Sequence, residues 1–281
     1  MLARRLSTIL PNLTFEEALE ITKIHSISGE LKEDLVTQRP FRSPHYTVST
    51  SSLIGGGRVP KPGEISLAHY GILFLDELPE FNRATLEVLR GPLEDRKVTI
   101  SRVATTVTYP SNFMMIASMN PCECGYYGSD LKECTCNAKA IRRYVGKISG
   151  PMLDRIDLHI EVKPVEYEKL ALRNKPESSK EIKERVDKAR KIQLERYKGL
   201  GIFCNAELDS NLLEEFCKLD KKSRDIMEKA FEKFGLSARA HDKILKISRT
   251  IADLDNSKDI QYKHIAEAIQ YRSLDTKYFE D

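Results

Sequence analysis

Several signals are missing from this 281-residue sequence, and each absence narrows the reading. No apolar run approaches the roughly 18 residues of a membrane-spanning helix, so no membrane partner is expected. The first residues carry none of the apolar core of a secretory signal. With six cysteines and no such signal, reduced thiols in a cytoplasm are expected rather than disulfides. Charge of one sign is scarce too. The balance of 45 basic and 42 acidic residues leaves only +3, so any nucleic-acid contact must come from a local basic surface. The string G-x-x-x-x-G-K-[ST], which cradles phosphates, occurs nowhere. Gly55-Gly56-Gly57, the only glycine cluster, runs into Arg58-Val59-Pro60 and reads as a flexible loop.

What is present suits a globular chain of one large or two modest domains, 41% hydrophobic and 31% charged. Its most informative stretch is Gly-Ile-Leu-Phe-Leu-Asp-Glu at 71–77. Four successive apolar residues, Ile72 to Leu75, predict a strand buried on both faces inside a parallel sheet. Asp76 and Glu77 then fall at its carboxyl end, where open α/β sheets bind ligands. One carboxylate there can hold Mg²⁺ and its neighbour can orient or deprotonate a water, the Walker-B arrangement. A buried strand ending in a solvated acidic turn gives the same seven residues.

Along the chain, residues 1–162 alternate strand-like apolar runs with helical patterns, which predicts an α/β core with a parallel sheet. Phe113–Met119 reads as a second buried strand. Leu158, Ile160 and Val162 alternate with polar residues as an edge strand would. Val98–Tyr109 reads as a β-hairpin turning at Ser101-Arg102. Residues 163–180 are polar, contain two prolines and read as a linker. An all-helical domain is expected over 181–281, with apolar stripes at Ile182, Val186, Ala189 and Leu194, at Leu212, Leu213, Phe216 and Leu219, and at Ile244, Ile247, Ile251 and Leu254. Ser237 is a candidate cap for the third stripe, and a last helix carries Ile265 and Ile269.

Longer strings carry a family likeness: Arg39-Pro40-Phe41-Arg42-Ser43-Pro44-His45, Leu53-Ile54-Gly55-Gly56-Gly57, Pro62 through His69, Leu75 through Phe81, Ser149-Gly150-Pro151 before Leu153 through Asp157, and Ser237-Ala238-Arg239-Ala240. On these the chain resembles the AAA+ ATPases of the magnesium-chelatase-like group, across nearly its whole length. Within the group it is most similar to the branch containing a bacterial competence protein. The resemblance implies a fold of AAA+ core followed by a helical lid. It also implies a phosphate loop ahead of Met1, so this chain is expected to be a fragment, inactive alone, with a sheet short of one strand.

By the same resemblance, Asp76 coordinates the Mg²⁺ of bound ATP and Glu77 polarises the attacking water. Asn120 is the first sensor, or else a turn residue before Pro121. Arg155 is an arginine finger acting on a neighbouring subunit, or a partner of Asp154 or Asp157. Arg239 is the second sensor, reaching the phosphates from the lid. The hairpin, with Arg96, Lys97 and Arg102, grips DNA in a central pore, or is an ordinary solvated surface. The implied activity is that of a hexameric motor driving branch migration of single-stranded or branched DNA during transformation. A chelatase-type motor subunit and a non-hydrolysing assembly module are the alternatives.

Cys122, Cys124, Cys134 and Cys136 form Cys-x-Cys, nine residues, Cys-x-Cys. Four thiolates this close can surround Zn²⁺ in a structural role, leaving no open position. A loop of free thiols is the other reading, because zinc fingers more often use Cys-x₂-Cys. Cys204 and Cys217 are expected as buried small hydrophobes. His45 and His69 are expected to be structural.

Overall fold

The computed structural model describes residues 2–31, 33–102, 105–130, 132–162 and 177–272. Contacts divide the chain into two compact units, Met1–Arg155 and Ile156–Asp281. Among the described residues no helix is long and apolar enough to cross a membrane.

The first unit is built on a parallel sheet in the order Phe41–Arg42, Ile72–Leu75, Met114–Ala117. Ile72 pairs with Phe41 on one side and Met114 on the other. The middle strand is the expected one, and Ile72, Leu73 and Leu75 are completely buried. Such a run tolerates water on neither face, so it takes the centre of the sheet. The chain enters it through Gly71, where a Cβ would lie 2.1 Å from the Pro40 carbonyl oxygen. Only glycine lets the two backbones approach that closely. Arg39 fixes the same entry point by donating to the Tyr70 and Pro11 carbonyls at 2.8 and 2.6 Å and to Glu17 at 2.8 Å. Glu17 belongs to the helix Phe15–Ser28, which Thr14 opens with a capping box and Gly29 closes in the left-handed region.

A hairpin of Lys97–Ser101 and Thr106–Pro110 forms as expected, with Val98 opposite Tyr109. Its turn falls later than Ser101-Arg102, because Arg102 and Thr105 exchange backbone hydrogen bonds at 2.9 and 3.2 Å and so close the ladder. Val98, Ile100 and Tyr109 face inward, while Thr99, Ser101, Thr106 and Thr108 face water. The Leu158–Val162 alternation makes no strand. All three apolar residues are exposed, and among the described residues no ladder partner runs beside them.

The second unit is helical, with Ser179–Arg196, Ser210–Phe216, Lys221–Phe234, Ala238–Leu254 and Tyr262–Gln270 packed around Tyr197, Leu213, Met227, Ile244 and Ile265. The first of these begins at Ser179, two residues before the expected Glu181, because Ser178 forms a capping box with Glu181. The expected linker lies largely at 163–176, outside the described residues. Leu194 and Leu254 of the expected stripes are exposed. Gln193, Arg249 and Asp253 are buried instead, around a polar network that apolar spacing cannot reveal. Asp253, with no side-chain exposure, binds Arg196 and Arg249 and accepts from Asn205 at 2.9 Å. Burial opposes the Arg196 charge, but the bonds and charges of Asp253 and Tyr197 together outweigh it and raise the guanidinium above its ordinary range.

Candidate functional site

The middle strand ends at Leu75, and the next two residues turn out of the sheet. Glu77 has φ +54°, a left-handed conformation that reverses the chain there. The neighbouring strand supplies the anchor. Ser118, just past Ala117, donates its hydroxyl to Asp76 Oδ1, and its carbonyl accepts from Leu78 N–H at 2.9 Å. The same Oδ1 accepts from Glu77 N–H at 3.2 Å. Asp76 is thereby oriented, with its second oxygen left for another partner, and both carboxylates are exposed. Two adjoining oxygen donors at a sheet's carboxyl end suit a hard divalent cation. Ser118 was not singled out from the sequence. Its signal was present: a hydroxyl at the end of an apolar strand parallel to the acidic one.

Asn120 follows on the same segment and is exposed. Burial pushes the nearby Tyr144 phenol above its ordinary range, and the Asn120 backbone acts against that shift. Tyr144 is a buried residue of the helix Ala138–Val145. Beside the acidic turn, Glu80 pairs with Lys147 at 3.1 Å. An open cleft of about 660 Å³ there is lined with hydroxyls from Tyr46, Thr47, Ser49, Thr50 and Thr85.

Arg155 is well covered, with 8% of its side chain exposed. It pairs with Glu94 at 2.8 Å and donates to the carbonyls of Pro151 at 2.6 Å and Arg90 at 3.3 Å. Asp157, one of the expected partners, pairs with Lys243 at 2.7 Å. Sequence proximity suggested the flanking acids, whereas the ion pair is made 61 residues away in the chain. Arg239 lies in the second unit, exposed in the first turn of Ala238–Leu254, where Ser237 accepts from Ala240 N–H at 3.2 Å. On the hairpin, Lys97 and Arg102 are exposed and Arg96 is half-buried in the left-handed region.

The four clustered cysteines converge. Their sulfurs all lie within 4.8 Å of one another, with Cys122 3.3 Å from Cys124 and 3.7 Å from Cys134. Cys122 is buried and the other three are half-buried. Backbone N–H groups of Tyr127 and Cys136 approach Cys122 and Cys134 Sγ at 3.4 Å each. Backbone hydrogen bonds at Tyr126 and Thr135 draw the Cys124 thiol down to about 5. Of the remaining cysteines, Cys217 is buried and its thiol is pushed up to about 11. Cys204 is half-exposed rather than buried. His69 is buried between Glu20 at 3.1 Å and the Asn112 N–H at 3.0 Å, a structural role. His45 bonds Thr47 at 2.9 Å, two residues on, and supports its own turn.

Comparison with known proteins brings the two units together under one family. Residues 1–170 match the model for magnesium chelatase, subunit ChlI, and residues 176–272 match that for the ChlI C-terminal region. The competence protein ComM of Haemophilus influenzae is 45% identical over 276 residues, covering 98% of this chain and 53% of that protein. The YifB protein of Escherichia coli is 44% identical over 277 residues, 98% of this chain and 54% of its own length. More distant is the magnesium-chelatase subunit ChlI of Euglena gracilis, 25% identical over 174 residues, 62% of this chain and 40% of that subunit. The chain thus spans about half the length of the curated relatives it matches most fully. With a buried parallel strand running into Asp76-Glu77, a helical second unit and matches over both, the chain belongs to the magnesium-chelatase-like AAA+ family, on the side of ComM and YifB.

Proposed function

We propose that this chain carries the acidic catalytic edge and the lid of an ATP-driven ring motor that works on DNA. The observation behind this reading is the Asp76-Glu77 pair at the carboxyl end of a central parallel strand whose Ile72, Leu73 and Leu75 are buried, with Asp76 aligned by Ser118. Asp76 is the residue to hold Mg²⁺, which supplies charge neutralisation to the bound triphosphate. Glu77 orients and polarises the attacking water, and Asn120 helps position it. Arg239 contacts the phosphates, and Arg155 serves a neighbouring copy, for which it must first leave Glu94. The motor assembles as a hexamer. DNA is the substrate favoured by the likeness to a competence protein and by the basic, hydroxyl-faced hairpin of Arg96, Lys97 and Arg102.

These 281 residues contain no G-x-x-x-x-G-K-[ST] string to cradle the phosphates. The test therefore joins this chain to the remainder of Haemophilus influenzae ComM, of which the match covers 53%. The expected result is DNA-stimulated ATP hydrolysis, lowered about 10²-fold or more by Glu77→Gln, the usual scale of a lost general base. The chain alone should bind Mg-ATP only weakly in a calorimetric titration. Hydrolysis stimulated by a tetrapyrrole partner system and indifferent to DNA would favour the chelatase-type motor. Hydrolysis unchanged by Glu77→Gln would remove the proposed role of that carboxylate.

A further inference from the structure

We infer that Cys122, Cys124, Cys134 and Cys136 form a structural Zn²⁺ site that staples the loop between Asn120 and the helix Ala138–Val145. The geometry is that of a tetrathiolate cage. Zinc–sulfur bonds of about 2.3 Å set a tetrahedron edge of about 3.8 Å. The sulfurs of Cys122, Cys124 and Cys134 stand 3.3, 3.5 and 3.7 Å apart pairwise, and all four lie within 4.8 Å. Disulfides do not explain the cluster, because sulfur–sulfur bonds measure about 2.05 Å and all four thiols are free. An iron–sulfur cluster does not fit either, since its thiolates spread around two or more metals and inorganic sulfides. Backbone N–H groups aimed at Cys122 and Cys134 are the supporting contacts that thiolate ligands receive.

Among the described residues the loop is mostly exposed, with local turns such as Ser129 N–H to the Tyr126 carbonyl at 3.0 Å. Gly125 and Gly128 take left-handed conformations, and the neighbouring Tyr126 and Tyr127 are exposed. Four ligands from both ends of a fifteen-residue segment close it where burial does not. The two ends matter for the rest of the unit. Cys122 stands two residues after Asn120, and Cys136 immediately precedes Asn137, whose side chain caps the helix by accepting from Ala140 N–H at 2.8 Å. The Tyr144 phenol of that helix lies against the Asn120 backbone. The metal thus closes a ring of contacts around Asn120 and acts as a positioning element there, a consequence that rests on the reading of Asn120 given above.

The test uses the whole chain, expressed with zinc and purified under reducing conditions without chelator. Elemental analysis should find about one zinc per chain, falling below about a tenth in Cys124→Ser/Cys134→Ser and unchanged in Cys204→Ala. Cobalt(II) added to stripped protein should give the intense charge-transfer and tetrahedral d–d bands of a tetrathiolate, absent in the double variant. A chain with its helical circular-dichroism spectrum intact but no bound metal and no cobalt bands would overturn the site. So would bound iron in place of zinc, or zinc retained by the double variant. None of these readouts involves nucleotide or DNA, so they stand or fall independently of the motor reading.

Discussion

The two units treat charge in opposite ways. In Met1–Arg155 the acids proposed for chemistry, Asp76 and Glu77, stand exposed at the rim of an apolar sheet. In Ile156–Asp281 an acid sits in the middle of the core, Asp253 between two arginines. The first arrangement leaves carboxylates available to something else, and the second consumes its carboxylate in holding the fold. The lesson is that a charged residue's burial and partners, more than its type, separate candidate chemistry from architecture.

This contrast can be broken experimentally. The largest effect should come from Asp253→Ala, which strands Arg196 and Arg249 beside an apolar core. A loss of about 3–5 kcal/mol is expected in urea unfolding, the usual cost of removing one member of a buried ion pair. An intermediate effect should come from acid. Burial holds His69 below its ordinary value of 6.5, only partly offset by Glu20. Its folded form resists protonation, so the unfolded chain binds more protons and stability falls as pH drops below about 6.5. In the second unit Asp255 is held below its ordinary 3.8 by Lys263 and His264, so its contribution persists until far more acidic conditions. Melting temperatures recorded from pH 8 to pH 4 should therefore decline from near 6.5, and His69→Gln should flatten that first decline. The smallest effect should be Asp76→Ala, within about 0.5 kcal/mol in the same urea experiment, as for an exposed surface residue. An Asp76→Ala penalty as large as that of Asp253→Ala would erase the distinction between the two acids.

Much of the fold was legible because local pattern and tertiary environment agree. Ile72–Leu75 has no polar residue to place toward water, and it became the buried middle strand. Ser237 caps its helix as expected, by satisfying a free N–H group locally. Failures occurred where structure depends on distant partners. Leu158, Ile160 and Val162 alternate as a strand does, but alternation cannot supply a neighbouring ladder. The helix Ala238–Leu254 buries Ala240, Ile244, Ser248 and Ala252, with Arg249 and Asp253 beside them, so an apolar stripe ending at Leu254 pointed partly the wrong way. In the candidate site the acidic pair stood out in the sequence, whereas Ser118 is 42 residues from Asp76, and Glu94 is 61 from Arg155. Those contacts arise from folding and have no local signature.

The backbone at Glu77 has one more consequence. A side-chain-bearing residue held at φ +54° costs on the order of 1–2 kcal/mol, and glycine would relieve most of it. The turn that carries this residue out of the sheet is therefore set by a left-handed main chain. A glycine there would gain robustness and remove the carboxylate proposed to polarise the water.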